Sequence, residues 1–321
     1  MNGFDAGQAS TDVLSSAMKV LLTGGTGLVG RRLGAALAAR GDSVVVLTRD
    51  PARAGPVLPP GAVAVAGDPT GPGPWADAVS GCDAVVNLAG ENLFARRWNA
   101  DFKRTIRDSR IRATEQVVGA VARAADRPRV LISASAIGFY GPHESAEFTE
   151  DSPPGNDYLA GVCAEWEAAA RPAAEAGVRT VLLRIGVVLD PAGGALAQVI
   201  GPFKKFVGGP VGSGRQWMSW IHHADLTGLI LRALDDPAVQ GPLNATAPHP
   251  VTNAEFSHAL GAALGRPSAL TAPAFAVRLM LGEVADIVLT GQKVRPAKAL
   301  SLGYEFRFPE IAAALRDLLP A

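Results

Sequence analysis

Cysteine is scarce in this sequence, and net charge is absent. The only two cysteines, Cys82 and Cys163, form neither a CxxC pair nor a Cys/His cluster. This pattern argues against a disulfide framework or a zinc site and favours a reducing, cytoplasmic setting. Lysine plus arginine and aspartate plus glutamate both number 30, so no excess of positive charge indicates a nucleic-acid partner.

Long apolar runs are missing as well. No stretch of about 18 apolar residues occurs, which argues against a membrane span, and we expect no membrane partner. The first 17 residues contain Asp5 and Asp12 but no basic residue and no long apolar segment, unlike a signal peptide. We therefore expect residues 1–17 to form a disordered tail.

From residue 18 onward the sequence alternates regularly between strand-like and helix-like segments. Apolar, β-branched runs occupy residues 19–23, 43–48, 62–66, 83–88, 129–133 and 180–184. Segments with helical spacing separate them, the longest at residues 100–125. Strands that alternate with helices in this way predict an α/β fold with a Rossmann-type, doubly wound parallel sheet.

The pattern changes after the sixth predicted strand. Glycine and proline are dense over residues 191–214, which predicts long loops and a substrate-loop insertion around residues 190–220. Helices are predicted at Asp225, as N-cap, and at Thr252, where Glu255 three residues on completes a capping-box signature. We expect this second region to form a smaller lobe over the open end of the sheet.

The strongest local motif follows the first predicted strand. The sequence TGGTGLVG contains glycines spaced GxxGxxG between a strand and a helix. The first glycine permits a tight turn, the second lets the backbone approach a pyrophosphate, and the third lets helix and strand pack closely. A plain glycine turn is the alternative, but the flanking elements favour a dinucleotide site. The predicted cofactor contacts in this loop are Gly24, Thr26, Gly27, Leu28, Val29 and Gly30.

The end of the second predicted strand indicates which dinucleotide binds. NAD sites place an acidic side chain there, which repels a 2′-phosphate. This sequence has Thr48 and Arg49 instead. A hydroxyl and a guanidinium suit a phosphate, so we predict NADP. Asp50 follows directly, Arg53 is a weaker second candidate, and a solvated surface role for Arg49 is the alternative.

The third and fourth predicted strands end in further candidates. Asp68 follows the third strand, where a carboxylate can accept a hydrogen bond from the adenine amino group. The fourth strand runs into Leu88, Ala89 and Gly90, a segment with little side-chain bulk, which lets the cofactor lie across the sheet. Ordinary packing at strand ends is the alternative for each.

Several of these segments resemble a known family. The runs TGGTGLVG, NLAGENLFARRWN, SPPGNDYLAGVCAEWE and GGPVGSGRQWMSWIHHADL together resemble extended short-chain dehydrogenase/reductases. The match is closer still to an epimerase-like subfamily that ends in a short domain of its own. The resemblance covers the chain from Met18 to about Leu319. It implies a Rossmann fold, a nicotinamide cofactor and a Ser/Thr–Tyr–Lys active site.

The catalytic residues that the resemblance implies are present only in part. Tyr158 matches the tyrosine of the family's YxxxK motif, but Val162 stands where the lysine belongs. Without a cation nearby, a tyrosine keeps a pKa of about 10. Ser135 is the best match for the family's hydroxyl, one residue away from the expected place. The alternatives are a pocket-lining role for Tyr158 and a local backbone contact for Ser135.

Four further residues are candidates for ligand contacts. The resemblance places Arg110, on the long helix, beside the nicotinamide, with an exposed helix arginine as the alternative. Trp217 and Trp220 follow a glycine-rich loop and are predicted to stack on a flat or sugar-like ligand, although Trp220 also fits a core position. Arg215 is predicted to bind a substrate phosphate or carboxylate.

The sequence thus predicts an NADP-dependent oxidoreductase or epimerase that acts on a small polar, nucleotide-sugar-like substrate. The predicted domains are an NADP-binding Rossmann domain at residues 18–240 and a C-terminal lobe at residues 241–321. The alternative is an NADP-binding regulatory or scaffold protein that has lost standard catalysis, which Val162 favours. No metal site is predicted, because the pair His222-His223 lacks a third ligand. A homodimer is left open.

Overall fold

The computed structural model describes residues 17–319, so the predicted tail at residues 1–17 lies outside the described residues except for Ala17. The strands are β1 (Lys19–Thr23), β2 (Ser43–Thr48), β3 (Val63–Ala66), β4 (Ala84–Asn87), β5 (Val130–Ala136), β6 (Glu147–Phe148), β7 (Arg179–Ile185), β8 (Val187–Leu189), β9 (Trp217–Met218), β10 (Trp220–His222), β11 (Gly241–Ala245), β12 (Val251–Thr252) and β13 (Lys293–Val294).

The helices alternate with these strands in the first half of the chain and become denser in the second. They are α1 (Leu28–Ala39), α2 (Pro51–Ala54), α3 (Ala100–Arg123), α4 (Tyr158–Ala170), α5 (Pro172–Glu175), α6 (Gly194–Lys204), α7 (His223–Asp235), α8 (Asn253–Leu264), α9 (Ala274–Leu281), α10 (Asp286–Leu289), α11 (Ala297–Ser301) and α12 (Ile311–Leu318). No helix among residues 17–319 is both long and apolar enough to cross a membrane.

Seven strands form one parallel sheet in the order β11-β7-β5-β4-β1-β2-β3. Leu21 of β1 lies opposite Val45 of β2 on one side and Val85 of β4 on the other. The chain extends the sheet from β1 to β3, returns to β4 and then extends it in the opposite direction. Such a reversal opens a crevice at the carboxyl ends of the strands, where open α/β sheets bind ligands. The predicted fold class is confirmed.

Helices cover both faces of the sheet, which explains why its strands are apolar throughout rather than alternating. On one face, Leu33 and Leu37 of α1 share a buried core with Leu226 of α7. On the other face, Val117 and Val121 of α3 pack beneath the same strands. The sheet therefore leaves its strand ends, rather than its faces, open to a ligand.

A separate hydrophobic core, distinct from those on the two faces of the sheet, stabilises the smaller lobe. Leu196 of α6, Trp220 of β10, Phe256 of α8 and Leu315 of α12 are buried in it. β8 pairs with β10, and β9 pairs with β12. The edge strand β11 lies just past residue 240, so the seven-stranded sheet draws on residues from both sides of the predicted domain boundary.

The prediction of loops over residues 191–214 is wrong for half of that segment. The 11-residue helix α6 lies there, with Pro202 in its last turn. Proline removes one backbone donor and disfavours a helix. Leu196 and Phe203 are nevertheless buried on one side of α6, and this packing outweighs the local preference.

The two predicted helix caps have different outcomes. The capping box of α8 is confirmed, because Thr252 and Glu255 make both reciprocal hydrogen bonds. Asp225 is not the N-cap of α7. His222 takes that place, and its Nδ1 accepts the N–H of Ala224 at 3.0 Å. The carboxylate of Asp225 is buried and instead accepts two backbone N–H groups from the C-terminal segment.

Candidate functional site

A groove with a volume of ≈ 1070 Å³ runs along the carboxyl ends of β1 to β4 and beside α3. Nine of the residues predicted to contact the cofactor lie on its wall: Gly24, Thr26, Gly27, Thr48, Arg49, Asp68, Leu88, Ala89 and Gly90. Leu28 and Val29 instead line a small separate crevice beside α7. Gly30 and Arg110 do not line the groove.

The glycine loop is shaped by the close approach of its own backbone. Gly24 has φ +65°, and a Cβ there would lie 2.6 Å from the carbonyl oxygen of Leu88. A Cβ on Gly30 would lie 2.3 Å from the carbonyl oxygen of Gly24. Both positions therefore require glycine for internal packing. At Gly27 a Cβ would meet only Gly24 O, at 3.2 Å, because this residue faces the groove.

The loop leads directly into α1, whose first turn is open to a ligand. Gly27 is the N-cap, and no side chain caps the helix. The first-turn N–H groups have no intrahelical acceptor, and the helix dipole makes this end positive. A pyrophosphate fits such a site, because its oxygens accept those N–H bonds. The residues present thus suit a dinucleotide.

The far end of the groove is basic. Arg49 and Arg53 lie on its wall beyond β2, both are exposed, and neither forms an ion pair with a carboxylate within residues 17–319. Asp50, between them, serves as N-cap of α2, and its Oδ1 accepts the N–H of Arg53 at 3.0 Å. The acid that follows Arg49 is therefore engaged with the backbone of the next helix.

Asp68 faces the groove with part of its hydrogen-bonding capacity in use. Its Oδ1 accepts from the backbone N–H of Thr70 at 2.9 Å and from the hydroxyl of Thr70 at 2.7 Å. These bonds, together with the charge of Arg49, lower the pKa of the Asp68 carboxyl. An ionised carboxylate at this place retains an oxygen that can accept from a ligand amino group.

A buried hydrogen-bond network, which the sequence did not reveal, holds the strand ends together at the reversal between β1 and β4. The hydroxyl of Thr23 donates to Asn87 Oδ1 at 2.6 Å and accepts the N–H of Leu88 at 3.1 Å. Asn87 Nδ2 donates to the hydroxyl of Thr114 at 2.9 Å, which also accepts from Trp166 Nε1. The network fixes the floor of the groove, because every member is bonded and buried.

Arg110 lies directly behind this floor. Its guanidinium donates to the carbonyl oxygens of Ile106 at 2.9 Å and Glu91 at 3.0 Å, and a Cβ on Gly90 would lie 3.3 Å from its Cζ. No carboxylate pairs with it within the described residues, and burial lowers its pKa. The alternative of a freely exposed helix arginine is wrong. Its predicted contact with a nicotinamide stays a prediction.

Tyr158 begins α4 and lies against α3 rather than on the groove. Its hydroxyl donates to the carbonyl oxygen of Lys103 at 2.6 Å. The ammonium of Lys103 lies 4.5 Å from the centre of the Tyr158 ring, although the YxxxK spacing supplies no lysine. The cation comes from α3, whereas Val162 is buried. Burial nevertheless raises the pKa of Tyr158, against the opposing charges of Arg110 and Arg107.

Ser135 also lies away from the groove, at the end of β5. Its side chain is 2% exposed, and its hydroxyl donates to Glu167 Oε1 at 2.8 Å. Glu167 in turn forms a two-pronged ion pair with Arg184, at 2.7 and 2.9 Å. The hydroxyl proton of Ser135 is therefore engaged by a carboxylate of a buried ion pair, and its predicted contact with a substrate oxygen stays a prediction.

The aromatic candidates separate clearly. Trp220 is fully buried and donates to the carbonyl oxygen of His249 at 3.1 Å, so its predicted stacking on a ligand is wrong. Trp217 is partly exposed, donates to the carbonyl oxygen of Glu144 at 2.9 Å, and has Lys293 over its ring at 5.0 Å. Arg215 is exposed, and neither it nor Trp217 lines the groove.

The full burial of Tyr140 and the partial burial of Tyr158 and Tyr304 lead to a prediction about alkaline titration. Burial raises the pKa of Tyr140 to about 12 and also raises the pKa values of Tyr158 and Tyr304. We expect no tyrosinate absorbance from the folded protein below about pH 10. The contribution of these tyrosines to the free energy of unfolding is fully present below about pH 10. It is lost as the pH rises through their higher folded-state pKa values.

The measurement is a spectrophotometric pH titration of folded and denatured protein, with Tyr158→Phe as the comparison. Ionisation of one tyrosine below about pH 9 that disappears in Tyr158→Phe would contradict this expectation. That result would identify Tyr158 as an activated acid–base group.

Comparison with known protein families gives two matches. The NAD dependent epimerase/dehydratase family matches residues 20–245. A domain of unknown function, DUF1731, matches residues 272–318. The two matches fall on the parallel sheet and on the C-terminal part of the smaller lobe, and they support the subfamily resemblance in the sequence.

Individual proteins extend this result over nearly the whole chain. The chain is 47% identical over 310 residues to the epimerase family protein SDR39U1 homolog, chloroplastic, of Arabidopsis thaliana, covering 95% of this chain and 87% of the relative. A crystal structure of the human epimerase family protein SDR39U1 with NADPH has TM-score 0.83 and 38% identity, covering 94% of this chain and 99% of that one.

A third similarity is to a solved bacterial structure. The nucleoside-diphosphate sugar epimerase from Corynebacterium glutamicum has TM-score 0.76 and 36% identity. The match covers 95% of this chain and 59% of that chain. Nearly the whole length of the present chain therefore corresponds to only part of that protein.

Proposed function

Because the chain belongs to the NAD dependent epimerase/dehydratase family, we propose that it is an NADP-dependent oxidoreductase or epimerase acting on a small polar, nucleotide-sugar-like substrate. A nicotinamide dinucleotide is the cofactor of the family. When bound, it supplies hydride transfer. The basic end of the groove supports NADP, and a relative supports the substrate class.

The observation that carries the choice of NADP is the basic end of the groove. Arg49 and Arg53 have no ion-pair partner in the described chain and lie where the second strand ends. A phosphate on the adenosine ribose would give these guanidinium groups a partner and Thr48 a hydroxyl contact. The human relative with TM-score 0.83 was solved with NADPH, which supports the same choice for this chain.

The cofactor choice is tested at Arg49. We expect the wild type to bind NADPH more tightly than NADH. Arg49→Glu should lose about 1.5–3 kcal/mol of NADPH binding, tenfold or more, because one charge-assisted phosphate contact disappears. Isothermal titration with both cofactors measures this. Arg171→Glu, an exposed arginine away from the groove, is the charge-matched control. Equal wild-type affinities, or an unchanged preference in Arg49→Glu, would rule out the assignment.

The proposed substrate class follows from a relative and from one exposed aromatic side chain. The protein from Corynebacterium glutamicum is described as a nucleoside-diphosphate sugar epimerase. Trp217 is the remaining aromatic candidate for contact with a sugar, since it is partly exposed beside Lys293. An epimerase would oxidise a carbinol, let the ketone present its other face and reduce it again.

A second candidate function is a cofactor-binding regulatory or scaffold protein. The observation in its favour is that neither Ser135 nor Tyr158 faces the groove, since their hydroxyls donate to Glu167 and to Lys103 O. Val162 also leaves the motif without its lysine. In this case the dinucleotide would act as a ligand that reports cellular redox state.

The two functions differ in what happens to bound cofactor. Protein loaded with NADPH is mixed with keto derivatives of nucleotide sugars, which can accept the hydride, and the reduced-nicotinamide absorbance is followed. An enzyme oxidises the cofactor with at least one of them, and Tyr158→Phe slows the reaction if the neutral phenol donates the proton. Absorbance that never changes, with normal NADPH affinity, supports the binding protein and contradicts the enzyme.

A further inference from the structure

Acidic residues are unevenly distributed along this chain. Residues 191–224 and 256–282 contain no Asp or Glu, although acidic and basic residues balance over the whole sequence. The two segments touch, since the N–H of Gly212 donates to Ala272 O and the N–H of Ala272 donates to Pro210 O, both at 2.8 Å. They carry five basic residues: Lys204, Lys205, Arg215, Arg266 and Arg278.

The same two segments hold most of the exposed apolar side chains. Ten large apolar residues are exposed within the described chain, and six of them belong to these segments. They are Phe206, Val207, Leu270, Phe275, Leu279 and Met280, with exposures from 55% to 76%. Large apolar groups that cluster on a surface mark an interaction site rather than a chance exposure.

Part of this region forms one contiguous patch, which we call the basic apolar surface. It consists of Lys204, Lys205, Phe206, Val207, Arg266 and Leu270. The guanidinium of Arg266 lies 4.5 Å from the centre of the Phe206 ring. The N–H of Leu270 donates to Gly208 O, two residues after Phe206, at 3.4 Å. The three cations form no ion pair with a carboxylate anywhere in residues 17–319.

Phe206 is held in an unusual backbone conformation at the centre of this patch. With φ 63° it is the one non-glycine residue of the described chain in the left-handed region. It follows the end of α6, a place where helices favour glycine because a Cβ is strained there. A strained position that carries an aromatic ring, 56% exposed, indicates a role for the ring outside the fold.

We propose that the basic apolar surface docks on the head-group region of an anionic phospholipid bilayer. Lys204, Lys205 and Arg266 meet the negative lipid surface, while Phe206 and Leu270 enter the boundary between head groups and acyl chains. Helix α9, which begins four residues after Leu270, carries the further exposed apolar residues Phe275, Leu279 and Met280. Arg278 on that helix pairs with Asp286, so the attraction comes from the three unpaired cations.

The chemistry of the patch favours a lipid surface over a second copy of the chain. Two copies that met symmetrically through this patch would bring like charges together. The expectation of no membrane partner rests on the lack of a spanning run. A missing span excludes insertion across a bilayer, but it does not exclude attachment to its surface.

Vesicle co-sedimentation of the full chain tests the proposal. We expect binding to vesicles of phosphatidylcholine with phosphatidylglycerol, little binding to phosphatidylcholine alone, and release as salt shortens the Debye length to about 3 Å at 1 M. Lys204→Glu with Lys205→Glu should weaken partitioning by about thirtyfold or more. Arg123→Glu with Arg171→Glu, both exposed and unpaired in the described chain, should leave it unchanged.

Phe206→Gly separates a binding role from a structural one. Glycine relieves the strained φ, so thermal stability should stay the same or rise, while vesicle binding should fall. Loss of binding without loss of stability supports the proposal. Absent binding, equal binding to both vesicle types, or equal loss in the control variants would overturn it. Salt-sensitive binding to polyglutamate but not to vesicles would also overturn it, in favour of an acidic protein partner.

Discussion

Gly27→Val is expected to abolish binding of the dinucleotide while the protein stays folded. Gly27 has φ −75° and ψ 175°, a conformation that valine adopts without strain. Its Cβ would meet only Gly24 O, at 3.2 Å, so the valine side chain points into the groove where the pyrophosphate approaches. Loss of two charge-assisted hydrogen bonds corresponds to about 3–6 kcal/mol, more than a hundredfold in Kd.

Isothermal titration with NADPH measures the loss of binding, and near-ultraviolet circular dichroism measures whether the protein stays folded. Gly161→Val is the matched control, because a Cβ there has no heavy atom within 4 Å and the residue is exposed. Gly30→Val is the contrasting variant, since its Cβ would lie 2.3 Å from Gly24 O and it should damage the fold itself. Wild-type NADPH affinity in Gly27→Val would show that the phosphates bind elsewhere.

Glu167→Gln is expected to destabilise the protein by about 3–5 kcal/mol, because it leaves a buried guanidinium without its counter-charge. Arg184 is 3% exposed and Glu167 1% exposed. Arg184 Nη1 also donates to the hydroxyl of Tyr140 at 2.9 Å, and that hydroxyl donates to Asn244 Oδ1 at 2.6 Å. Neither neutral partner replaces a carboxylate.

Urea unfolding at neutral pH measures this loss as a lower midpoint. Glu165→Gln on the same helix is the control. Its ion pair with Arg107 is exposed, so its removal should change stability by no more than about 1 kcal/mol. Ser135→Ala should fall between the two, since it removes one hydrogen bond and leaves the ion pair. A midpoint for Glu167→Gln equal to that of Glu165→Gln would refute the assignment of a buried ion pair.

The sheet and its glycine loop were predictable because their signals are local. The bounds of β1 and β2 match the predicted residues 19–23 and 43–48, since buried parallel strands read as unbroken apolar runs. The loop at residues 24–30 was recognisable because its glycines are required by distances within one strand–turn–helix unit. These features form from residues that are close in the sequence, without a contribution from distant segments.

The surroundings of the predicted catalytic residues were not predictable in the same way. Ser135 was assigned to a substrate because it best matches the family's hydroxyl, but its hydroxyl donates to Glu167 of α4, which is paired with Arg184 of β7. The sequence did contain one signal of this ion pair. Glu167 lies two residues after Glu165 on an alanine-rich helix, and residues with this spacing do not face the same side of a helix, so one of the two carboxylates had to face inward. Tyr158 likewise meets a cation from α3, 55 residues earlier in the chain, which no spacing rule identifies.

We expect the groove over β1 to β4 to bind the adenosine half of NADP through the glycine loop and the basic end at Arg49. Competition between bound NADPH and two fragments, 2′,5′-ADP and 5′-ADP, tests it most directly. 2′,5′-ADP should displace NADPH at concentrations about tenfold or more below those of 5′-ADP, the difference that one charge-assisted phosphate contact makes. Equal displacement by both fragments, or none by 2′,5′-ADP, would contradict it.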